Sequence, residues 1–194
     1  MKAFEGFKSE SSGNGAYEQL PAGPYVAKIT NVKIDGVEPD QSLVLRLEVL
    51  EGEYKDYFSK RYQHDKDNGG MYEAKYKGDY RLRIPNPANT KSKYPDSDKR
   101  RFNDAIWRIE RSNEGYHWDW NEKGLIGKVV GMSMQDDEYN GNQFTRIGRL
   151  EVAQDVRNGI VGIMKPRKRQ ETTTEAVGFT SSGFTAVENV EVPF

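Results

Sequence analysis

Cations and aromatic rings alternate between Lys60 and Arg101 in a pattern suited to an unpaired nucleic-acid strand. The segment carries twelve Lys/Arg against six Asp/Glu, a net charge of +6. Interleaved with them, or just upstream, stand Tyr54, Tyr57, Phe58, Tyr62, Tyr72, Tyr76, Tyr80 and Tyr94. A sequence-tolerant binder needs cations spaced along the phosphates and ring faces on which bases stack. Each stacked base is worth roughly 1–3 kcal/mol, so two or three rings would matter. In KRY at 60–62 and YKGDYRLR at 76–83 the two residue types lie within a few positions of one another. The candidate phosphate contacts are Lys60, Arg61, Lys75, Lys77, Arg81 and Arg83, and the candidate stacking faces are Phe58, Tyr62, Tyr76 and Tyr80. The competing explanation is that Tyr favours strands and Lys/Arg only solvate a surface. Concentration of both types in one long insertion favours a binding role.

A second constellation closes the chain as Val-Glu-Asn-Val-Glu-Val-Pro-Phe. Glu188, Glu191, Pro193 and Phe194 make an acidic tip ending in a ring, able to place that ring in a partner's pocket and a carboxylate on a partner's cation. An inert end, or an extra edge strand from the alternating VENVEV, accounts for the same residues. His64-Asp65-Lys66-Asp67 reads as a polar loop without a second histidine at ligand spacing, so neither metal nor cofactor is expected. His117-Trp118-Asp119-Trp120 reads as a ring cluster beside a helix end, with some capacity for stacking. No GxxxxGK[ST] or GxSxG occurs, which leaves nucleotide hydrolysis and serine-esterase chemistry unsupported. The expectation is a binder rather than an enzyme.

Elements must position these residues, and composition bounds them. The chain has 194 residues with 35% hydrophobic and 30% charged, 29 Lys+Arg against 30 Asp+Glu, and no cysteine. Its mean hydropathy is −0.88. Disulfides, thiolate metal sites and a polybasic protein are excluded. A start without an apolar core and no long apolar run lead to the expectation of a soluble, cytoplasmic protein.

The division expected is a flexible arm over 1–19, a folded domain over 20–165 and a flexible tail over 166–194. Within the domain, LPAGPYVAKITNVKI predicts a strand whose apolar parity changes near Thr30-Asn31, as a β-bulge would allow. LVLRLEVLE at 43–51 alternates as a half-buried strand and pairs with it as a hairpin. A third strand is predicted over 57–62, placing Phe58, Lys60 and Tyr62 on one face. Residues 64–96 read as a long insertion. A helix capped by Ser97 or Asp98 follows, and then two strands over 124–135 and 144–152, joined at Asn140-Gly141. Three strands, a helix and two strands is the order of a five-stranded OB-fold barrel, with an SH3-like barrel or a small sandwich as the competitors. On an OB-fold, oligonucleotides lie across the second and third strands and the adjoining loops.

The opening LPAGPYVAKITNVKI, the following LRLEVLEGEYKDYF and the hairpin QDDEYNGNQFTRIGRLE together resemble a family of small bacteriophage proteins regarded as OB-fold single-stranded-DNA-binding proteins or their relatives. Pro193-Phe194 also resembles the acidic Pro-Phe end of bacterial single-stranded-DNA-binding proteins, although only Glu188 and Glu191 stand where those carry a dense Asp run. The resemblance implies coating of single-stranded DNA during phage replication or recombination, in the host cytoplasm. The implied partners are single-stranded DNA and, through the tip, replication or recombination proteins; self-association is compatible with either. The alternative is a protein–protein module, a virion or host-inhibitory factor, whose basic loop meets an acidic protein.

Overall fold

A computed structural model of the chain describes residues 17–68, 73–139 and 141–167. Its frame is an antiparallel sheet in which alternating apolar side chains face one core. Strand β1 (Gly23–Asp35) pairs with β2 (Ser42–Val49), and their register shifts between Ile29 and Asn31. The expected bulge is therefore present, but it carries only Val32 against the core and leaves Ile34 41% exposed. β2 is buried on both faces rather than one. Leu43, Leu45, Leu47 and Val49 enter the core, and the opposite face buries Val44 and Glu48.

The third strand is not at 57–62. That stretch opens helix α1 (Tyr57–Asn68), so Phe58, Lys60 and Tyr62 do not share a face by period two. Two causes favour the helix. The segment has no β-branched residue, and Glu48 accepts from the backbone amides of Phe58 at 2.9 Å and Ser59 at 2.8 Å, capping the first turn from across the sheet. The Ser59 and Tyr76 hydroxyls complete the same carboxylate's shell. His64-Asp65-Lys66-Asp67 consequently lies on a helix, not in a loop.

The strand beside β2 comes from inside the expected insertion, as β3 (Asp79–Arg83). Gly78 precedes it where a Cβ would meet Leu47 O at 2.5 Å and the Phe58 ring at 2.8 Å, so only glycine lets the chain pass. Helix α2 (Pro95–Ser112) starts three to four residues earlier than expected, with Pro95 in its first turn and no side-chain cap. Ser97 and Asp98 lie within the helix. Asp98, in the first turn, accepts from Ser92 Oγ at 2.5 Å instead of capping.

The chain closes with β4 (Val129–Tyr139), β5 (Asn142–Glu151) and the short helix α3 (Ala153–Arg157). The turn is tighter than the loop expected over 136–143. β4 and β5 pair out to Tyr139 and Asn142, and Gly141 takes the left-handed φ of 75°. α2 is fixed to the sheet by the buried Glu151, which receives Arg108 from the helix, Arg149 beside it and Ser133 Oγ at 2.8 Å.

The sheet runs β3-β2-β1-β4-β5, with β3 and β5 at its edges and not paired to each other. Among the described residues, no helix is long and apolar enough to cross a membrane.

Candidate nucleic-acid interface

Where β3 and β5 fail to meet, the molecule has a cleft of about 900 Å³. β3 forms one wall through residues 79–83 and β5 the other through residues 144–147. Gln19, Arg61 of α1, residues 91–94 and the start of α2 complete it. Eight Lys/Arg line the cleft against only Asp79 and Asp98.

Most of these cations are held in place. Arg81 donates to Asp35 at 2.5 Å, and that hydrogen bond and charge hold the Asp35 carboxyl below its usual range. Arg146 lies 3.4 Å from the buried Asp137 and Arg83 lies 3.7 Å from Asp98. Arg101 donates from Nε and one Nη to Tyr80 Oη at 3.3 and 3.2 Å, with its guanidinium 5.2 Å from that ring's centre. Arg61 donates to Tyr57 Oη at 3.3 Å. Lys77 and Lys93 enter no ion pair among the described residues.

The segment carrying Lys91, Lys93 and Tyr94 lacks regular structure but is built from side-chain-to-backbone turns. Asp40 in the β1–β2 loop accepts from the Thr90 amide at 3.1 Å, the Thr90 hydroxyl at 3.0 Å and the Lys91 amide at 3.2 Å. Asn89 Oδ1 accepts from the amides of Lys91 and Ser92 at 3.0 and 2.9 Å. Residues 89–92 are thus held by polar side chains, which carry no apolar period.

At one end a strap crosses the gap. The Gln19 carboxamide imitates a strand on the free edge of β5, donating to Gln143 O at 3.2 Å and accepting from Thr145 N at 3.1 Å. Leu20 N donates to Tyr57 Oη at 2.8 Å, and that hydroxyl donates to Glu18 O at 2.7 Å. Residues 17–19, expected in the flexible arm, therefore tie α1 to β5, and Tyr17 packs edge-on against Tyr57 with ring centres 5.5 Å apart.

Of the residues singled out from the sequence, Arg61, Lys77, Tyr80, Arg81 and Arg83 meet in this cleft. Tyr80 is only 4% exposed and supports Arg101 rather than offering a face. Phe58 is 2% exposed and packs against Tyr57 and Tyr76 at 5.3 and 6.0 Å, which corrects its assignment as a stacking ring. Lys60, Tyr62, Lys75 and Tyr76 lie outside the cleft lining. Lys60 Nζ donates to Lys55 O at 2.8 Å, Tyr62 has Lys66 5.9 Å above its ring, and Lys75 is exposed. The Tyr76 hydroxyl lies 2.9 Å from both Leu47 O and Glu48, and burial followed by the Glu48 charge raises its pKa. Glu188, Glu191, Pro193 and Phe194 lie outside the described residues.

Sequence reasoning missed Gln19, Phe144 and Arg146, and it counted Lys91, Lys93, Tyr94 and Arg101 without singling them out. The signal for Phe144 and Arg146 is a ring and a cation of one parity on an edge strand, directly after the Asn140-Gly141 turn. Among the described residues, no group of three or more His, Cys, Asp or Glu is placed to hold a metal. The chain matches no family model and no curated protein sequence.

Proposed function

We propose that this protein binds single-stranded DNA, acting without catalysis to coat and protect exposed strands in phage DNA replication or recombination. The observation that carries this reading is the cleft between the free edges of β3 and β5, with eight cations against two carboxylates. The strand order supports an OB-type, partly open barrel, because β3-β2-β1-β4-β5 is that barrel's order opened at its β3–β5 seam. The cleft uses β3, Ser42 at the start of β2 and the part of β5 next to the β4–β5 turn, close to where such barrels take oligonucleotides.

Phosphates entering the cleft compete with Asp35, Asp40, Asp98 and Asp137 for guanidinium and ammonium groups that are already oriented. Lys77 and Lys93 give up no such partner, and each contributes a full phosphate contact to counterion release. Tyr94, 73% exposed, and the half-buried Phe144 offer ring faces along the same path. The acidic tip would recruit replication or recombination proteins.

Fluorescence anisotropy of labelled oligo-dT across a salt series tests the reading. Binding at low salt should weaken steeply, log K falling against log salt by about 0.7 for each phosphate contact. No binding at low salt, or affinity indifferent to salt, overturns it. Strong capture of an acidic protein by the folded part, with no preference for single strands over duplex, would favour the protein–protein reading instead.

A further inference from the structure

Beyond the cleft, one exposed ring is held at a conformational cost. Trp120 has φ 68°, a left-handed backbone that bulky side chains rarely adopt, and it is 72% exposed. Its ring lies 6.2 Å from Phe102 with a 16° interplanar angle, and 4.8 Å from Trp118 at 37°. The loop beneath it is locked independently of the indole. Asp119 Oδ1 accepts from Asn121 N at 3.1 Å, Asn121 Oδ1 accepts from Lys123 N at 3.1 Å, and Trp118 Nε1 donates to Asn121 O at 2.9 Å. Trp120 therefore has one face on the Phe102–Trp118 pair and most of its surface open to water. A ring that merely filled space would be buried, and a residue that merely made the turn would be glycine or asparagine.

The position of this shelf gives it a ligand. Phe102 directly follows Arg101, which lines the cleft and holds Tyr80, and the exposed Lys99 lies three residues before Phe102 on the same side of α2. The cleft supplies phosphate contacts, and the open indole, stacked on the Phe102 that follows Arg101 in α2, supplies the π-face an unpaired base requires. We infer that Trp120 is a stacking platform for an unpaired base, extending the strand's path from the β3–β5 cleft across α2 at Phe102. This inference rests on the cleft binding single-stranded DNA.

The test uses the full chain and its Trp120→Gly and Trp120→Phe variants, with labelled oligo-dT and an abasic deoxyribose-phosphate oligomer of equal length. Glycine keeps the left-handed backbone, so only the ring is lost. Trp120→Gly should weaken oligo-dT binding about tenfold or more, leave the salt slope unchanged, and bind the abasic oligomer as the unaltered chain does. Trp120→Phe should recover most of the affinity. In the unaltered chain, oligo-dT should quench indole fluorescence and shield it from acrylamide, and the abasic oligomer should do neither. Equal oligo-dT affinity for the unaltered chain and Trp120→Gly overturns the inference, as does an equal loss toward both oligomers. Failure of the unaltered chain to bind oligo-dT at low salt is a separate result that removes the reading on which this one stands.

Discussion

Lys77 and Lys93 differ from the other cations of the cleft by having neither an ion pair nor a side-chain hydrogen bond among the described residues, and this sets their expected weight. Replacing both with alanine should lower the salt slope of oligo-dT binding by about 1.4, two phosphate contacts at about 0.7 each. Anisotropy titrations at four or five salt concentrations read this directly, and an unchanged slope would place the phosphates elsewhere. Another residue-scale consequence concerns alkali. Burial, with smaller contributions from the Tyr54 and Tyr57 hydroxyls and from Glu53, pushes Tyr25 up to about 12, and its hydroxyl donates to Pro21 O at 2.9 Å. An unfolded tyrosine ionises near ~10, so between these values the folded chain keeps a proton that the unfolded chain has released. This contribution to stability is whole below about pH 10 and is lost as pH rises through about 12. Urea midpoints measured at pH 9 and pH 11 should fall less for Tyr25→Phe than for the unaltered chain. None of this was visible in the sequence, where Tyr25 reads as one more strand residue and Lys77 and Lys93 as two cations in a run of twelve.

At the scale of elements, strands with strong parity were legible and those without it were not. β1, β2 and the β4–β5 hairpin follow from alternation and from Asn140-Gly141, because those signals lie within each segment. α1 was misread as a strand because its deciding contact is remote: Glu48 caps amides 10 and 11 residues downstream from within a neighbouring strand. β3 escaped notice because DYRLR is only 5 residues long and carries a single aliphatic side chain. The cap also makes a prediction. Glu48→Ala would leave two helix amides and the Ser59 hydroxyl without this acceptor, while the Tyr76 hydroxyl keeps Leu47 O. It should cost about 2–4 kcal/mol of stability by urea unfolding. A loss below about 0.5 kcal/mol, the size of an ordinary surface substitution, would show that α1 does not depend on this cap.

Across the whole molecule, the candidate site was half legible. The basic–aromatic run pointed to Arg61, Lys77, Arg81 and Arg83, but the opposite wall comes from β5, more than sixty residues later. No local pattern links the two walls; the sheet order does, by leaving β3 and β5 unpaired. The tail proposed to recruit partners is tested at this scale. Removing residues 187–194 should leave oligo-dT affinity equal or higher while abolishing capture of replication or recombination proteins. A clear loss of affinity would contradict that role.

The strap through Gln19 and Leu20 also decides where an attachment to this protein is felt. A peptide joined directly ahead of Tyr17 starts at the rim of the cleft, and so does one joined directly after Arg167, which bridges to Asp137, the partner of the cleft-lining Arg146. A flexible fusion tethered at the rim works at an effective concentration in the millimolar range, ~10⁻³ M. An acidic tag there would act as a built-in competitor and a basic one as an extra hand for the strand. Charged handles joined next to either Tyr17 or Arg167 therefore take part in any binding measurement.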